Sequence, residues 1–182
     1  MHALFFEMRP KPGHLAHYFD HVARLRPLLA RHTGLWWLHR FEALDDPGLI
    51  LSHQHWADED AILGWRRDPD HRHAQEAGRR VHFADYRIRV GTEVTDADAP
   101  GARAVLTVLA DAPAPALADQ RAARAYRSLT DDGVVLTLIE AADSARARAM
   151  LPAVAATPGL RAAHAFAITR DYGLTDRAAA PQ

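Results

Sequence analysis

The stretch LWWLHRFEALDDPGLILSHQHW, residues 35–56, decides the fold because it consists of two strand-like segments around a turn. Segments 35–41 and 49–56 are rich in large apolar residues, as buried strands are. Between them, residues 42–48 contain the Asp, Pro and Gly residues that are typical of a tight connection. The stretch therefore predicts an antiparallel β-hairpin.

The hairpin places an unusual number of polar rings on one face of the sheet. Side chains alternate between the two faces of a strand, so His53 and His55 point the same way. A register with Trp37 opposite His53 and His39 opposite Leu51 adds an indole and a third imidazole to that face. Burying an unpaired imidazole in a dry core costs about 1–3 kcal/mol. We therefore expect these rings to face a cavity, on the side that the helices cover or at its mouth. The alternative is a rim position, where each histidine contacts water or a backbone carbonyl.

The first half as a whole has the pattern β-α-β-β-α-β, which is the order of a ferredoxin-like unit. Residues 3–9 predict the first strand, and an apolar stripe over residues 15–29 predicts the helix that follows. Asp58 is a suitable N-cap for a second helix, which Pro69 interrupts. Residues 85–94 predict the fourth strand.

The second half resembles the first closely enough to indicate a degenerate tandem repeat. The segment ALDDPGLILS (43–52) matches SLTDDGVVLT (128–137), and the second copy has Leu138 and Glu140 where the first has its two strand histidines. After a linker at residues 95–103, the pattern predicts strands at 103–110, 133–143 and 160–169 and helices at 115–126 and 144–159.

Composition excludes several classes of protein. The 182 residues carry a formal net charge of −1 with acidic and basic residues interspersed, which argues against a nucleic-acid partner. The lack of cysteine excludes disulfides, thiolate catalysis and cysteine-ligated metals. No segment has the pattern of a signal peptide or a membrane span, so we expect a cytoplasmic protein without a membrane partner. Eleven of the twelve histidines lie in the first ninety residues, so we expect any chemistry in the first half.

Three stretches carry a resemblance to a known family. WRRDPDHRHAQEAGRRVHFADYRIRV (65–90) contains Trp-Arg, His-Arg, Ala-Gln and Gly-Arg pairs before an Asp-Tyr-Arg strand. This pattern resembles the antibiotic biosynthesis monooxygenases of the dimeric α+β barrel superfamily. RFEALDDPGLILS (40–52) is similar to the second hairpin of that family, and RDYGLTDRAAAP (170–181) is similar to its usual tail.

The resemblance implies an α+β fold in which two ferredoxin-like (β-α-β-β-α-β) units form a barrel of antiparallel sheets. The units are residues 1–95, with the candidate site, and a degenerate copy at 102–175. The two units would form a pseudo-dimer within one chain, and a homodimer of two such chains is also compatible with the resemblance. Members of the family include cofactor-free oxygenases that act on aromatic polyketides, and haem-degrading enzymes.

The resemblance therefore implies a monooxygenase-type oxidoreductase with a small aromatic or polyketide-like substrate. A haem-binding or haem-degrading protein and a non-catalytic small-molecule binding module are the alternatives. We expect no organic cofactor in the first place, haem in the second, and a divalent metal in the third, since three imidazoles can bind either.

The histidine face supplies the expected catalytic residues, because a neutral imidazole can accept a proton from a phenol or an enol. These catalytic residues are His39, His53 and His55. The expected substrate contacts are Trp37, Trp65, Arg66, His71 and His73.

The haem alternative requires an axial ligand. The haem-degrading branch usually has an axial histidine late in its second helix and an asparagine in its first strand. This chain has Gln75 and Met8 near those positions, so His71 or His73 would have to replace the usual ligand. His53 and His55 are the other candidates for that role. The pattern disfavours haem degradation.

Overall fold

Eight antiparallel strands form a closed barrel in the computed structural model, which describes residues 1–95, 103–117 and 120–181. The strands are β1 (His2–Pro10), β2 (Leu35–Ala43), β3 (Ile50–Trp56), β4 (Phe83–Glu93), β5 (Ala104–Ala110), β6 (Ala122–Ser128), β7 (Val135–Ala141) and β8 (Ala162–Gly173). The helices are α1 (Leu15–Leu29), α2 (Glu59–Arg67), α3 (Pro69–Ala77) and α4 (Ser144–Val154), and a π-helical turn at Gly78–His82 follows α3. Most of the linker predicted at 95–103 lies outside the described residues.

The barrel consists of two four-stranded sheets that meet at both edges. Its strand order is β1-β3-β2-β6-β7-β5-β8-β4, with β4 returning to β1. Each half therefore contributes a sheet with the 4-1-3-2 strand order of a ferredoxin-like unit. β2 pairs with β6 at one junction and β4 pairs with β8 at the other, so no sheet edge is left open there. The expected α+β barrel of antiparallel sheets is confirmed.

Capping residues explain why the helices of the first half begin where they do. The Asp58 side chain accepts a hydrogen bond from the Ala61 amide at 2.8 Å, which satisfies one of the free amides at the start of α2. Asp68 does the same for the His71 amide at 3.0 Å, and Pro69 occupies the first turn of α3. The predicted interruption of the second helix is therefore a clean division into α2 and α3.

The helix predicted at residues 115–126 is wrong. Residues 122–128 form β6, which pairs with both β2 and β7, and no helix occurs in the described residues between β5 and β6. Pro113 and Pro115 disfavour a helix in this short connection. The second unit therefore lacks a counterpart of α1 in the part of the chain that is described.

The hairpin forms as predicted but in a different register. Trp37 lies opposite His55 and His39 opposite His53, a shift of two residues from the expected pairing. The difference arises because the connection is shorter than expected: the Ala43 amide bonds to the Leu49 carbonyl. A shift of two residues keeps each side chain on its face, so the predicted grouping of the rings is preserved.

Apolar residues fill both sides of each sheet. The barrel interior contains a cluster to which both units contribute, including Phe5, Phe41, Leu51, Leu136 and Phe166, all at most 1% exposed. A second cluster packs α4 directly against β5, β7 and β8. The outer face of the first sheet packs instead against α1 and α2. This arrangement leaves space between the first sheet and its helices.

A buried arginine links the two halves inside the barrel. The Arg89 side chain is 3% exposed, and its guanidinium donates to Glu7 Oε2 at 2.6 Å and to Glu140 Oε1 at 2.8 Å. Tyr126 donates a further hydrogen bond to Glu7. Glu7 and Arg89 belong to the first unit, whereas Tyr126 and Glu140 belong to the second.

In the ranges 1–95, 103–117 and 120–181, no helix is both long and apolar enough to cross a membrane.

Candidate functional site

The strand histidines lie in the barrel interior and not on the face that the helices cover. His53 is 1% exposed and its ring stacks on Phe5 with centroids 4.5 Å apart. Trp37 contacts the rings of His53 and His55, and Phe166 of the second unit closes the group. The expectation that these rings face a cavity under the helices is wrong. In a closed barrel the opposite sheet covers this face, and aromatic rings fill the space.

His53 and His55 satisfy each other's polar atoms. Their Nε2 atoms lie 3.1 Å apart, and His53 Nδ1 lies 3.4 Å from the Leu4 carbonyl. His53 therefore carries its proton on Nδ1 and accepts from the Nε2–H of His55. Burial lowers the pKa of His53 well below its ordinary value and lowers the pKa of His55 to about 4. Both rings are neutral at physiological pH.

The third expected catalytic residue, His39, lies at the boundary between the halves. Its Nε2 atom is 2.7 Å from Ser128 Oγ and 3.0 Å from Thr130 Oγ1, both in the second unit. Burial lowers its pKa. Unlike His53 and His55, His39 contributes to the wall of a cavity.

A cavity of about 750 Å³ lies between the outer face of the first sheet and helices α1 and α3, and we call it the helix-side cavity. Its sheet-side wall includes Phe6, Leu38, Arg40, Ser52 and Gln54. Its helix-side wall includes Tyr18, Val22, Leu25, Trp65, His71 and Gln75. Leu129 and Thr130 of the second unit complete the wall. The volume suits a drug-sized or polyketide-sized molecule.

His71 is positioned as a base in this cavity. Its ring stacks on Trp65 with centroids 4.2 Å apart, and its Nδ1 lies 2.8 Å from the Trp65 carbonyl. Gln75 Nε2 also lies 3.1 Å from His71 Nδ1. The carbonyl contact is the shorter of the two and a carbonyl can only accept, so Nδ1 carries the proton and Nε2 keeps its lone pair. No hydrogen-bond partner contacts Nε2 among the described residues. Burial lowers the pKa of His71, so the ring is neutral and able to take a proton.

The remaining expected substrate contacts divide between two places. Trp65 lines the helix-side cavity, and it also lines an adjoining chamber of about 110 Å³ together with Arg66 and His71. Arg66 donates hydrogen bonds to Tyr172 Oη at 3.3 Å and to the Pro181 carbonyl at 3.0 Å, so its guanidinium tethers the C-terminal segment. His73 is exposed and lines neither space. Trp37 is in the barrel interior.

Several residues of the cavity wall were not singled out from the sequence. Ser52 precedes His53 in β3 and Gln54 follows it. Gln54 donates to Ser52 Oγ at 3.1 Å while accepting from Trp56 Nε1 at 3.0 Å. Arg40 and Tyr18 also belong to this wall. The alternation of β3 contained the signal, because a Ser-x-Gln pair is as unusual on a covered face as two histidines.

The four residues considered as axial haem ligands differ in their access to space. His71 faces the helix-side cavity, whereas His53 and His55 line neither described space and His73 is exposed. In the described part of the chain, no three His, Asp or Glu side chains converge as a metal site.

The comparisons with known proteins relate the first unit, which carries the cavity, to one family. Residues 1–77 match the family model of the antibiotic biosynthesis monooxygenases. These residues contain β1, β2, β3, the three helices of the first unit and most of the cavity wall. The first unit of this chain is therefore similar to the antibiotic biosynthesis monooxygenases over these residues.

Individual proteins share parts of this similarity. A jasmonate monooxygenase from Pyricularia oryzae is 41% identical over 91 residues, which is 50% of this chain and 42% of the relative. This chain thus matches less than half of that relative's length. A Deinococcus radiodurans protein assigned to the antibiotic biosynthesis monooxygenases is 20% identical, with a TM-score of 0.47, and the match covers 54% of this chain and 97% of the other. An anthrone oxidase-like protein is 9% identical with a TM-score of 0.45, covering 100% and 96% of the two chains.

Proposed function

We propose that this protein is a monooxygenase that oxidises a small, mainly apolar substrate in the helix-side cavity without an organic cofactor. One observation carries the proposal: a neutral imidazole with a free Nε2, that of His71, in a cavity of about 750 Å³ within the family-like unit. The proposal moves the base from His53 and His55 to His71. His39 stays part of the site as a wall residue.

The chemistry begins with a proton transfer. The substrate has a methylene or hydroxyl group that is acidified by a neighbouring carbonyl or aromatic ring. His71 takes its proton and leaves an enolate or phenolate, which is electron-rich enough to react with dioxygen. For a methylene, R₂CH₂ + O₂ gives R₂C=O + H₂O, so the substrate supplies all four electrons that reduce dioxygen and no outside reductant is needed. Apolar walls keep water from the anion.

Two substrate classes fit this chemistry. Aromatic polyketides of the anthrone type have an activated methylene between two aromatic rings. The Pyricularia oryzae relative is by name a jasmonate monooxygenase, and a jasmonate is a small cyclic ketone with acidic positions beside its carbonyl. Both are mainly apolar and small enough for the cavity.

Oxygen uptake with anthrone or jasmonic acid as substrate tests the proposal. We expect His71→Gln to lower kcat by roughly 10²–10⁴-fold, since it removes a general base. His73→Gln, two residues away but exposed, is the matched control and should leave the rate unchanged. The wild-type rate should rise with pH through the lowered pKa of His71 and level off by neutral pH.

Two outcomes would contradict this function. A His71→Gln protein with the wild-type rate would show that His71 is not the base. A Soret band in the purified protein would instead support the haem alternative if His71→Gln loses the band and His73→Gln keeps it. The free Nε2 of His71 would then be the ligand atom.

A further inference from the structure

The helix-side cavity has an unbalanced charge. Its lining residues include two arginines, Arg26 and Arg40, and four histidines, but no Asp or Glu. The rest of the wall is predominantly apolar, with side chains such as Phe6, Val22 and Leu38. Cations without acidic neighbours favour an anionic guest.

Arg40 is held in place with its charged end free. It lies on β2 opposite Ser52, on the sheet face that the helices cover. Its Nε atom donates to the Tyr18 hydroxyl at 3.2 Å, and Tyr18 is only 7% exposed. Burial raises the pKa of Tyr18, so its hydroxyl keeps its proton and does not neutralise the arginine. Neither terminal nitrogen of Arg40 has a partner among the described residues.

We propose that Arg40 binds the carboxylate of a mainly apolar monocarboxylic acid in the helix-side cavity. The two terminal nitrogens of a guanidinium match the two oxygens of a carboxylate, and such pairs are stronger than neutral hydrogen bonds. Tyr18 fixes the third nitrogen and therefore the orientation of the fork. The inference rests on the proposed function, because it assumes that this cavity holds the substrate.

The surroundings favour a carboxylate over a phosphate or a sulfate ester. A doubly charged phosphate requires several donors or cations, whereas the other polar groups near Arg40 already have partners. Ser52 bonds to Gln54, and His39 Nε2 lies within hydrogen-bond distance of Ser128 and Thr130. Arg26, the other arginine of the wall, is exposed on α1. A single guanidinium group in a mainly apolar cavity suits one singly charged anionic group.

Calorimetric binding of jasmonic acid and methyl jasmonate, measured under nitrogen at neutral pH, tests the inference. The two probes differ by one methyl group, which removes the charge of the carboxyl group. We expect the wild-type protein to bind the acid roughly ten- to hundredfold more tightly than the ester. Arg40→Met should lower acid affinity to that of the ester and leave ester affinity unchanged. Arg40→Lys, which keeps the charge but not the fork, should retain part of the preference.

Arg26→Met is the matched control, because Arg26 lines the same cavity but is exposed. It should keep the preference for the acid. The inference is overturned if the wild type binds neither probe or binds both equally, if Arg40→Met keeps the preference, or if Arg26→Met loses as much as Arg40→Met. Binding without any oxygen uptake would contradict the proposed function alone. Oxygen uptake without an acid preference would contradict this inference alone.

Discussion

His53 and His55 are neutral rings inside the barrel, and the pH dependence of stability should reveal this. An unfolded histidine titrates near pH 6.5, whereas burial lowers the pKa of His53 well below that value and the pKa of His55 to about 4. Between these values the unfolded chain binds more protons than the folded one. The contribution of these two histidines to the free energy of unfolding is therefore complete above about pH 6.5. It is lost as the pH falls toward their pKa values in the folded protein.

Replacing His55 by Phe should reduce this loss. The new ring can pack against Trp37 and Phe166, which already contact His55. We expect the Tm of His55→Phe to fall less than that of the wild type between neutral pH and about pH 5, with ligand binding in the helix-side cavity unchanged. His73→Phe, at an exposed position, should follow the wild type. Equal slopes for wild type and His55→Phe, measured by thermal melts, would exclude His55 as a source of the pH dependence.

The sequence could show which residues share a face but not what that face contacts. Alternation groups His39, His53 and His55 correctly, and it groups Ser52 with Gln54 on the other side. Both faces of this sheet are covered, one by helices and one by the opposite sheet. A pattern of period two therefore cannot distinguish the barrel interior from the cavity. The prediction that His53 and His55 face the cavity is wrong for this reason.

At the scale of elements, the two helix caps offer a matched pair of substitutions. Asp58 begins α2 and Asp143 begins α4, and each accepts from the amide three residues ahead at 2.8 Å. Either change to Ala should cost about 1 kcal/mol of unfolding free energy, measured by urea denaturation.

Their effects on ligand binding should differ. α2 carries Trp65 and leads into the helix of His71, whereas α4 packs directly on the second sheet. We therefore expect Asp58→Ala to weaken ligand binding and Asp143→Ala to leave it unchanged. An equal loss in both variants would show that global stability, and not the local position of α2, controls the cavity.

Residues 122–128 show where element prediction from this sequence has its limit. Ala and Arg have high helix propensity, and RAARAY belongs to the segment 115–126 that the repeated pattern predicts as a helix. The segment instead completes two strand pairings, with β2 and with β7, and these backbone hydrogen bonds outweigh an intrinsic preference of a few tenths of a kcal/mol per residue. The capped helices and the hairpin, whose signals are local, were predictable.

For the whole molecule, Arg89 is a buried charge that joins the two units inside the barrel. Removing it leaves Glu7 without its cation inside the barrel, so we expect Arg89→Met to cost about 3–5 kcal/mol of unfolding free energy. Arg127→Met is the control: the Arg127 side chain is 61% exposed in its pair with Glu42, and such pairs contribute at most about 1 kcal/mol. Denaturant midpoints measure both. Similar losses in the two variants would mean that the Arg89 network contributes no more than a surface pair.

The difference between the helical layers of the two halves has a consequence for stoichiometry. A barrel of two identical subunits repeats every feature by symmetry, so two guests bind and each can influence the other. Here the helices α1, α2 and α3 cover a cavity on the first sheet, whereas α4 fills the corresponding space on the second sheet. A single polypeptide of this form should bind one guest per chain with a simple hyperbolic isotherm and a Hill coefficient of one, and a titration to two equivalents would contradict this.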